Sequence, residues 1–235
     1  MKFTQILSSD VRGRPRSTSA EAVTARRVPT SGARERLPTE RAQQDAAAAA
    51  REWTAGAMIV VSGPVGAGGA QMTLGILDAL GRQAVYLRPQ DTAQDVEALI
   101  SLADVGLVLD PVGAFTPGAS ADAVMRAREA GVPVVCCDLE ASVAGGHAVD
   151  GDVEVRVRLP DRREVQAMLE RRCHALTVAP ERLRGAAGAM AQASCGWDEA
   201  HRIAALALLS VLASGAELPH GRVDELIAAD RSRLR

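Results

Sequence analysis

Short apolar segments alternate with helix-type segments over about a hundred residues, and this alternation constrains the fold more than any other feature of the chain. Segments such as AMIVVSG at 57–63 and VGLVLD at 105–110 are apolar along most of their length, which is typical of strands buried on both faces of a parallel sheet. The helix-type segments between them supply the crossovers that parallel strands need. The pattern predicts a three-layer α/β fold with a parallel sheet whose strands lie at 57–63, 83–87, 105–110, 132–138 and 153–160.

The character of the sequence changes after Pro160, because no further strand pattern follows. Helix-type segments fill the remainder, separated by Pro180, by Gly196 and by a break at 215–219. We therefore expect a small, all-helical, lid-like subdomain that follows the α/β domain along the chain. The predicted parts are an arm at 1–40, an α/β domain at 41–159 and the helical subdomain at 160–235.

Composition and charge restrict the classes of partner. The 235 residues carry a formal charge of −2, which disfavours a nucleic-acid partner, and aromatic residues make up only 2% of the chain, too few for a base-stacking surface. The arm at 1–40 is basic and has no hydrophobic period, so we expect it to be disordered or loosely docked. Because no apolar run reaches the roughly 18 residues of a membrane span, and none resembles a signal peptide, the sequence predicts a cytoplasmic protein.

The cysteines and histidines form no recognisable catalytic or metal-binding pattern. Cys136, Cys137, Cys173 and Cys195 lack CxxC spacing and lie in or beside apolar segments, which indicates buried free thiols. None of the four histidines stands at a nucleophile–base spacing that the sequence can establish. We therefore assign no catalytic residue and no metal ligand.

The first strand runs into a glycine-rich loop that opens a helix. Glycines at 63, 66 and 68 let the backbone curl with its amides pointing inward, and the helix amino terminus adds partial positive charge, so the loop is suited to hold a phosphate. The spacing matches the phosphate loop GxxxxGK[ST], except that Gly69 stands at the lysine position and Ala70 at the hydroxyl position. The candidate nucleotide-binding residues are Gly63, Pro64, Gly66, Ala67, Gly68, Gly69, Ala70 and Asp110.

Asp110 follows the third strand, where a phosphate-loop fold places the acid that holds magnesium through water. The next residue is Pro111, which cannot polarise an attacking water. Without the ammonium and the metal-binding hydroxyl, charge on a transferring phosphoryl group is not neutralised, so we expect negligible hydrolysis and no bound Mg²⁺. Two interpretations stay open: weak binding of ATP or ADP through backbone amides, and a loop that serves only as a strand-to-helix turn.

Taken in order, these segments resemble the AAA+ superfamily of P-loop ATPases over residues 57–233. The Walker A strand and loop of that superfamily resemble MIVVSGPVGAGGA, the Walker B strand resembles VGLVLDP, and the sensor-one strand resembles VPVVCCDLEA, with its polar residue at Asp138. The lid helix that follows a glycine–aromatic step resembles CGWDEAHRIAALALLSVLASG, with Gly196 and Trp197 at that step. Arg202 falls near the second sensor arginine of some relatives.

The resemblance implies a pseudo-ATPase, that is, a non-hydrolysing structural or regulatory subunit in a homo- or hetero-oligomer with AAA+-type subunits. One alternative is a relative of the secretion and pilus-retraction ATPases, whose Walker loop is also similar but which have further strands where this chain turns helical. Another is an active ATPase in which an arginine such as Arg82 or Arg88 replaces the lysine. A third is an unrelated α/β protein.

Overall fold

The computed structural model describes residues 27–88, 91, 93–102, 104–109, 117–139, 151–173, 178–214 and 221–233. Within these residues the strands are β1 (Arg27–Val28), β2 (Met58–Gly63), β3 (Gln83–Tyr86), β4 (Val105–Leu109), β5 (Val134–Leu139) and β6 (Val153–Arg156). The helices are α1 (Glu40–Glu52), α2 (Gly69–Ala79), α3 (Ala93–Ile100), α4 (Pro117–Glu129), α5 (Arg162–Cys173), α6 (Pro180–Gln192), α7 (Trp197–Ser214) and α8 (Arg222–Arg233).

The strands form one six-stranded sheet in the order β1-β3-β4-β5-β2-β6. Strands β2 to β6 pair with one another in parallel, whereas β1 pairs antiparallel with β3. The predicted α/β class with a parallel sheet is confirmed. β6 alternates buried valines with exposed Glu154 and Arg156, as expected of a strand at the edge of the sheet.

Apolar cores cover both faces of the sheet, because successive side chains of a strand point to opposite faces. Ile59 and Val61 of β2 pack with the buried faces of α1 and α2, whereas Met58 and Val60 pack on the other face with α3 and α4. β2 therefore lies in the interior, between β5 and β6. This burial explains why the strand is apolar from end to end until it reaches the glycine loop.

Residues 27–39, which belong to the predicted arm, dock on the α/β layer. β1 pairs with β3, the hydroxyl of Thr30 donates to the carbonyl of Arg82 at 2.5 Å, and Leu37 is only 3% exposed. The apolar anchors in this segment are isolated, and a two-residue strand is too short to produce a hydrophobic period. The sequence pattern therefore did not reveal the docking. Residues 1–26 lie outside the described residues.

Helices α5 to α8 pack around a core of their own, centred on Val165, Met190 and Ile203. α5 begins with a reciprocal capping box, in which the Asp161 carboxylate accepts from the Glu164 amide and the Glu164 carboxylate accepts from the Asp161 amide, both at 2.9 Å. In the described residues after β6 no strand is present, whereas the secretion-ATPase alternative requires more strands. None of the helices in the described ranges combines the length and apolar character needed to cross a membrane.

Candidate nucleotide-binding site

The glycine loop between β2 and α2 lies at the carboxyl edge of the sheet. Gly63, Gly66 and Gly68 have φ angles of 147°, 84° and 90°, a region that side-chain-bearing residues rarely adopt. The amide of Ala67 donates to the carbonyl of Pro64 at 3.0 Å, which closes a tight turn, and Gly68 is the left-handed amino-terminal cap of α2. The structure thus joins all the candidates from Gly63 to Ala70 in one curled loop.

Several backbone amides of this loop are available to an anion. Among the described residues, the N–H groups of Gly66, Gly68, Gly69 and Ala70 have no hydrogen-bond acceptor, whereas the amide of Met72 donates to the carbonyl of Gly68 at 2.9 Å. Unpaired amides at the start of a helix attract negative charge, and the helix dipole adds to this attraction. The loop therefore retains the backbone chemistry of a phosphate site.

The loop itself contributes no cationic or metal-binding side chain, since Gly69 and Ala70 open α2 at the lysine and hydroxyl positions. Asp110 lies outside the described residues. β4, which Asp110 follows, is separated from β2 by β5. Asp138 pairs with Ser62 through the backbone of β5, and its side chain is likewise outside the described part of the chain.

The arginines considered as replacements for the lysine lie away from the loop. Arg82 directly precedes β3, which places it at the amino edge of the parallel sheet, opposite the loop. Arg88 follows β3, three strand positions from β2 and hence ~14 Å away across the sheet. Nη2 of Arg202 donates to Oδ2 of Asp230 at 2.8 Å, so its side chain is directed to α8. None of the three supplies charge to the loop.

The helical C-terminal part packs directly on the loop. A Cβ atom added to Gly196 would lie 2.5 Å from the carbonyl oxygen of Gly66 and 2.7 Å from its Cα, so only glycine allows this approach. The amide of Trp197 donates to the carbonyl of Gly66 at 2.7 Å, and Nε2 of Gln71 donates to Oδ1 of Asp198 at 3.0 Å. The glycine–aromatic step of the sequence is therefore the contact between α7 and the loop.

Trp197 covers the loop with its indole ring and is only 5% exposed. Its Cδ1 atom would lie 3.4 Å from a Cβ added to Gly68. Gly68 and Trp197 both line two neighbouring cavities, of about 60 and 330 Å³, so the indole stands between them. The ring of His201, one turn further along α7, lies 6.3 Å from that of Trp197.

Arginine side chains from segments far from the loop in the sequence line the two cavities beside it. Arg41, Arg156 and Arg158 line the smaller cavity, and Arg36, Arg171 and Arg172 line the larger one. Of the 27 basic residues 26 are arginine, so the composition signals abundant guanidinium groups. Spacing in a single sequence does not show which of them converge.

Comparison with known proteins identifies the fold. No family model and no curated protein sequence matches the chain. Among solved structures, a variant of RuvB from Thermotoga maritima matches with a TM-score of 0.61 at 14% identity, covering 86% of this chain and 72% of that one. A katanin structure matches at 0.57 and 10%, covering 92% of each chain, and C. elegans PCH-2 at 0.52 and 16%, covering 93% and 74%. All three are AAA+ P-loop ATPases. This chain has the AAA+ fold.

The six-stranded, mostly parallel sheet with its helices matches these AAA+ structures, whereas the assignment of the loop after β2 to the Walker A position stays a prediction. The order of elements inferred from the sequence is therefore confirmed at the level of the fold. Identities of 10 to 16% establish the fold alone.

The cysteines of the chain do not form a reactive site within the described residues. All four cysteines are buried and none forms a disulfide, which confirms the sequence prediction of buried thiols. Burial, together with the nearby Glu199 carboxylate, raises the pKa of Cys195 to about 11. A thiol that stays protonated at neutral pH is not an activated nucleophile.

His201 lies behind Trp197 in a site that disfavours its charged form. Burial lowers the pKa of His201, and the guanidinium groups of Arg172 and Arg171 lower it further, against the opposing effect of Asp198. Its Nδ1 atom is buried and has no hydrogen-bond partner in the described part of the chain. We infer that His201 is neutral at pH 7.

We expect acidification to destabilise the folded chain through His201. Because its pKa is lowered on folding, the unfolded chain, with a histidine pKa of about 6.5, binds the proton more readily. The stabilising contribution is therefore complete above that value and is lost as the pH falls through the folded pKa. Urea unfolding at about pH 7.5 and about pH 5 should show a smaller loss of stability in His201→Gln than in the wild type. An equal loss in His201→Gln and the wild type would refute the prediction.

Proposed function

We propose that this protein is a non-hydrolysing AAA+-type subunit with a structural or regulatory role in an assembly of AAA+ subunits. One observation carries the proposal: the loop keeps its positive-φ glycines and unpaired amides, but Gly69 and Ala70 occupy the positions of the ammonium and the metal-binding hydroxyl. The scaffold is thus retained while side-chain chemistry is missing.

The expected decrease in the rate of ATP hydrolysis is large enough to support a non-hydrolysing protein. Removing one preorganised group that stabilises transition-state charge lowers a rate by about 10²- to 10³-fold. Here two such positions lack the required side chain, and the second one would also hold Mg²⁺, which neutralises phosphate charge. None of Arg82, Arg88 and Arg202 lies where it replaces the lysine.

The loop amides support weak binding of ATP or ADP. Backbone N–H groups and the helix dipole of α2 act on a phosphate without a metal ion, so such binding does not depend on Mg²⁺. The indole of Trp197, which lies against Gly68, restricts the space in front of the loop. A nucleotide would have to share this space with the closed lid.

An oligomeric assembly is supported by two observations. Katanin, which has the same fold, self-assembles. In this chain Leu209 and Leu212 lie on one side of α7 and are 61% and 62% exposed, and apolar groups of this size usually contact a partner when they cluster. Both homo-oligomers and hetero-oligomers with intact AAA+ subunits fit this surface.

Restoring the missing groups tests the proposal. In Gly69→Lys/Ala70→Thr, calorimetry should show that Mg·ATP binds at least about tenfold more tightly than to the wild type, a change of about 1.4 kcal/mol. Wild-type binding should be weak and the same with and without Mg²⁺. Gly185→Lys, at a helix position with no atom within 4 Å of an added Cβ, controls for added charge. Tight, Mg²⁺-dependent binding by the wild type would contradict the proposal.

A further inference from the structure

Residues 30–38, called the strap below, connect β1 to α1 and pass over α2. A Cβ atom added to Gly75, in the middle of α2, would lie 2.7 Å from Cδ1 of Leu37 and 3.5 Å from the Cα of Arg34. Glycine is unfavourable inside a helix, so its presence here is explained by the room that it leaves for the strap. The strap is therefore fitted to the helix that begins in the glycine loop.

Several contacts fix the strap to the α/β layer. The amide of Arg34 donates to Oδ2 of Asp78 on α2 at 3.0 Å. Nε2 of Gln43 on α1 donates to the carbonyl of Glu35 at 3.1 Å. The side chain of Leu37 is buried in the core that α1 and α2 share with one face of the sheet. The strap and the α/β layer therefore move as one body.

The strap meets the helical subdomain over a much smaller contact. Nη2 of Arg171, near the end of α5, donates to the carbonyl of Pro38 at 3.0 Å. A cavity of about 330 Å³ lies beside this hydrogen bond, with residues 35–38 on one side and Arg172 and His201 on the other. Because this space is open, the strap and the helical subdomain are not packed together there. The hydrogen bond from Arg171 joins them across it.

The position of Arg171 decides what this hydrogen bond can restrain. The chain enters the helical subdomain at 157–161, and Arg171 lies nine residues beyond the start of α5 at Arg162, which is about 14 Å along the helix. A contact that far from the covalent connection opposes rotation of the subdomain about it. Such rotation would draw α7 away from the glycine loop and break the hydrogen bond from the Trp197 amide to the carbonyl of Gly66.

We propose that the strap holds the helical subdomain in place through Arg171 and thereby sets how often α7 separates from the glycine loop. When the hydrogen bond from Arg171 to Pro38 breaks, the subdomain rotates about residues 157–161 and uncovers the amides of the loop. Arg171 is thus a positioning residue that acts from outside the loop. This inference goes beyond the proposed function, because it requires neither a bound nucleotide nor hydrolysis.

Amide hydrogen exchange of the full chain, followed by NMR, measures this separation. The Trp197 amide exchanges only after its hydrogen bond to Gly66 opens, so its exchange rate follows the population of the separated state. In Arg171→Ala we expect this rate to rise by about threefold to tenfold, as for the loss of one hydrogen bond. The amides of Ile203, inside α7, and of Leu37, in the strap, should keep their wild-type rates.

Two further variants control for the change of charge. Arg163→Ala removes a guanidinium from an exposed position on the same helix and should leave the Trp197 rate unchanged. Arg171→Lys keeps a donor and should fall between the wild type and Arg171→Ala. An unchanged Trp197 rate in Arg171→Ala would overturn the inference. An equal rise at Trp197 and Ile203 would also overturn it, because that result would indicate general destabilisation.

A double-mutant cycle tests whether Arg171 acts through the strap. Leu37→Ala removes the apolar anchor of the strap and should accelerate exchange at Trp197 more than at Ile203. Once the strap is released, Arg171 has less to hold, so adding Arg171→Ala should then accelerate the Trp197 amide by a smaller factor than it does in the wild type. Equal factors in the two backgrounds would overturn the proposal. Circular dichroism of each variant checks that it is folded.

Discussion

Replacing Gly196 with alanine should lower the free energy of unfolding by about 2 to 4 kcal/mol and release α7 from the glycine loop. The added Cβ would lie 2.5 Å from the carbonyl oxygen of Gly66, 2.7 Å from its Cα and 2.8 Å from its carbonyl carbon. All three are backbone atoms of a turn that is closed by the bond from Ala67 to Pro64, so they cannot move aside at low cost. Separation would also break the 2.7 Å hydrogen bond from the Trp197 amide.

A matched glycine in the same helical region isolates the effect of this contact. An added Cβ at Gly185 on α6 would meet no atom within 4 Å, so Gly185→Ala should raise stability by about 0.5 to 1 kcal/mol, as alanine does inside a helix. Urea unfolding gives both values, and acrylamide quenching of Trp197, measured with Trp53 replaced by Phe in every variant, reports whether its ring leaves the loop. If Gly196→Ala were as stable as the wild type, the close approach of α7 to Gly66 would be wrong.

The sheet could be predicted from the sequence because its strands are buried on both faces. β2, β4 and β5 coincide closely with the apolar segments at 57–63, 105–110 and 132–138, and the burial of Ile59 and Val61 is the physical cause of that pattern. The positive φ angles of Gly63, Gly66 and Gly68 likewise explain why glycine marks the loop. In both cases the residues of the segment itself were sufficient to predict its structure.

Contacts between distant parts of the chain could not be predicted in the same way. Arg36 and Arg172 line one cavity although 136 positions separate them in the sequence, and no local period connects them. The docking of residues 27–39 depends on a two-residue strand and on single buried side chains such as Leu37. Gly196 and Trp197 were found only through the resemblance to AAA+ lids, since nothing local indicates that they meet Gly66.

Distance along the sequence also fails to show whether Arg82 or Arg88 can replace the missing lysine of the loop. Arg82 and Arg88 follow the loop closely in the sequence, which is the sole ground for considering them. In a parallel sheet, however, the residue before a strand and the residue after it lie at opposite edges, and a neighbouring strand in sequence need not be a neighbour in space. β3 is three positions from β2, so the arginines that reach the loop region come instead from the arm, from β6 and from α5.

The rate of ATP hydrolysis is the second large effect that we expect. Intact enzymes commonly turn over at about 1 to 10³ per second, and losing the lysine and the metal-binding hydroxyl removes at least about 10⁴-fold if each contributes about 10². The expected rate for this chain is therefore at most about one event in three hours to about six per minute, a range in which a contaminating ATPase can account for the signal. Gly66→Ala, which strains the loop at φ 84° and crowds Gly196, separates the two sources because contamination is unaffected by it.

Phosphate release by the purified full chain in ATP and Mg²⁺ is the most direct measurement. We predict that release stays at the level of the Gly66→Ala variant over several hours. Steady release at about one ATP per second or faster, abolished by Gly66→Ala, would contradict the conclusion that this loop has lost its catalytic groups.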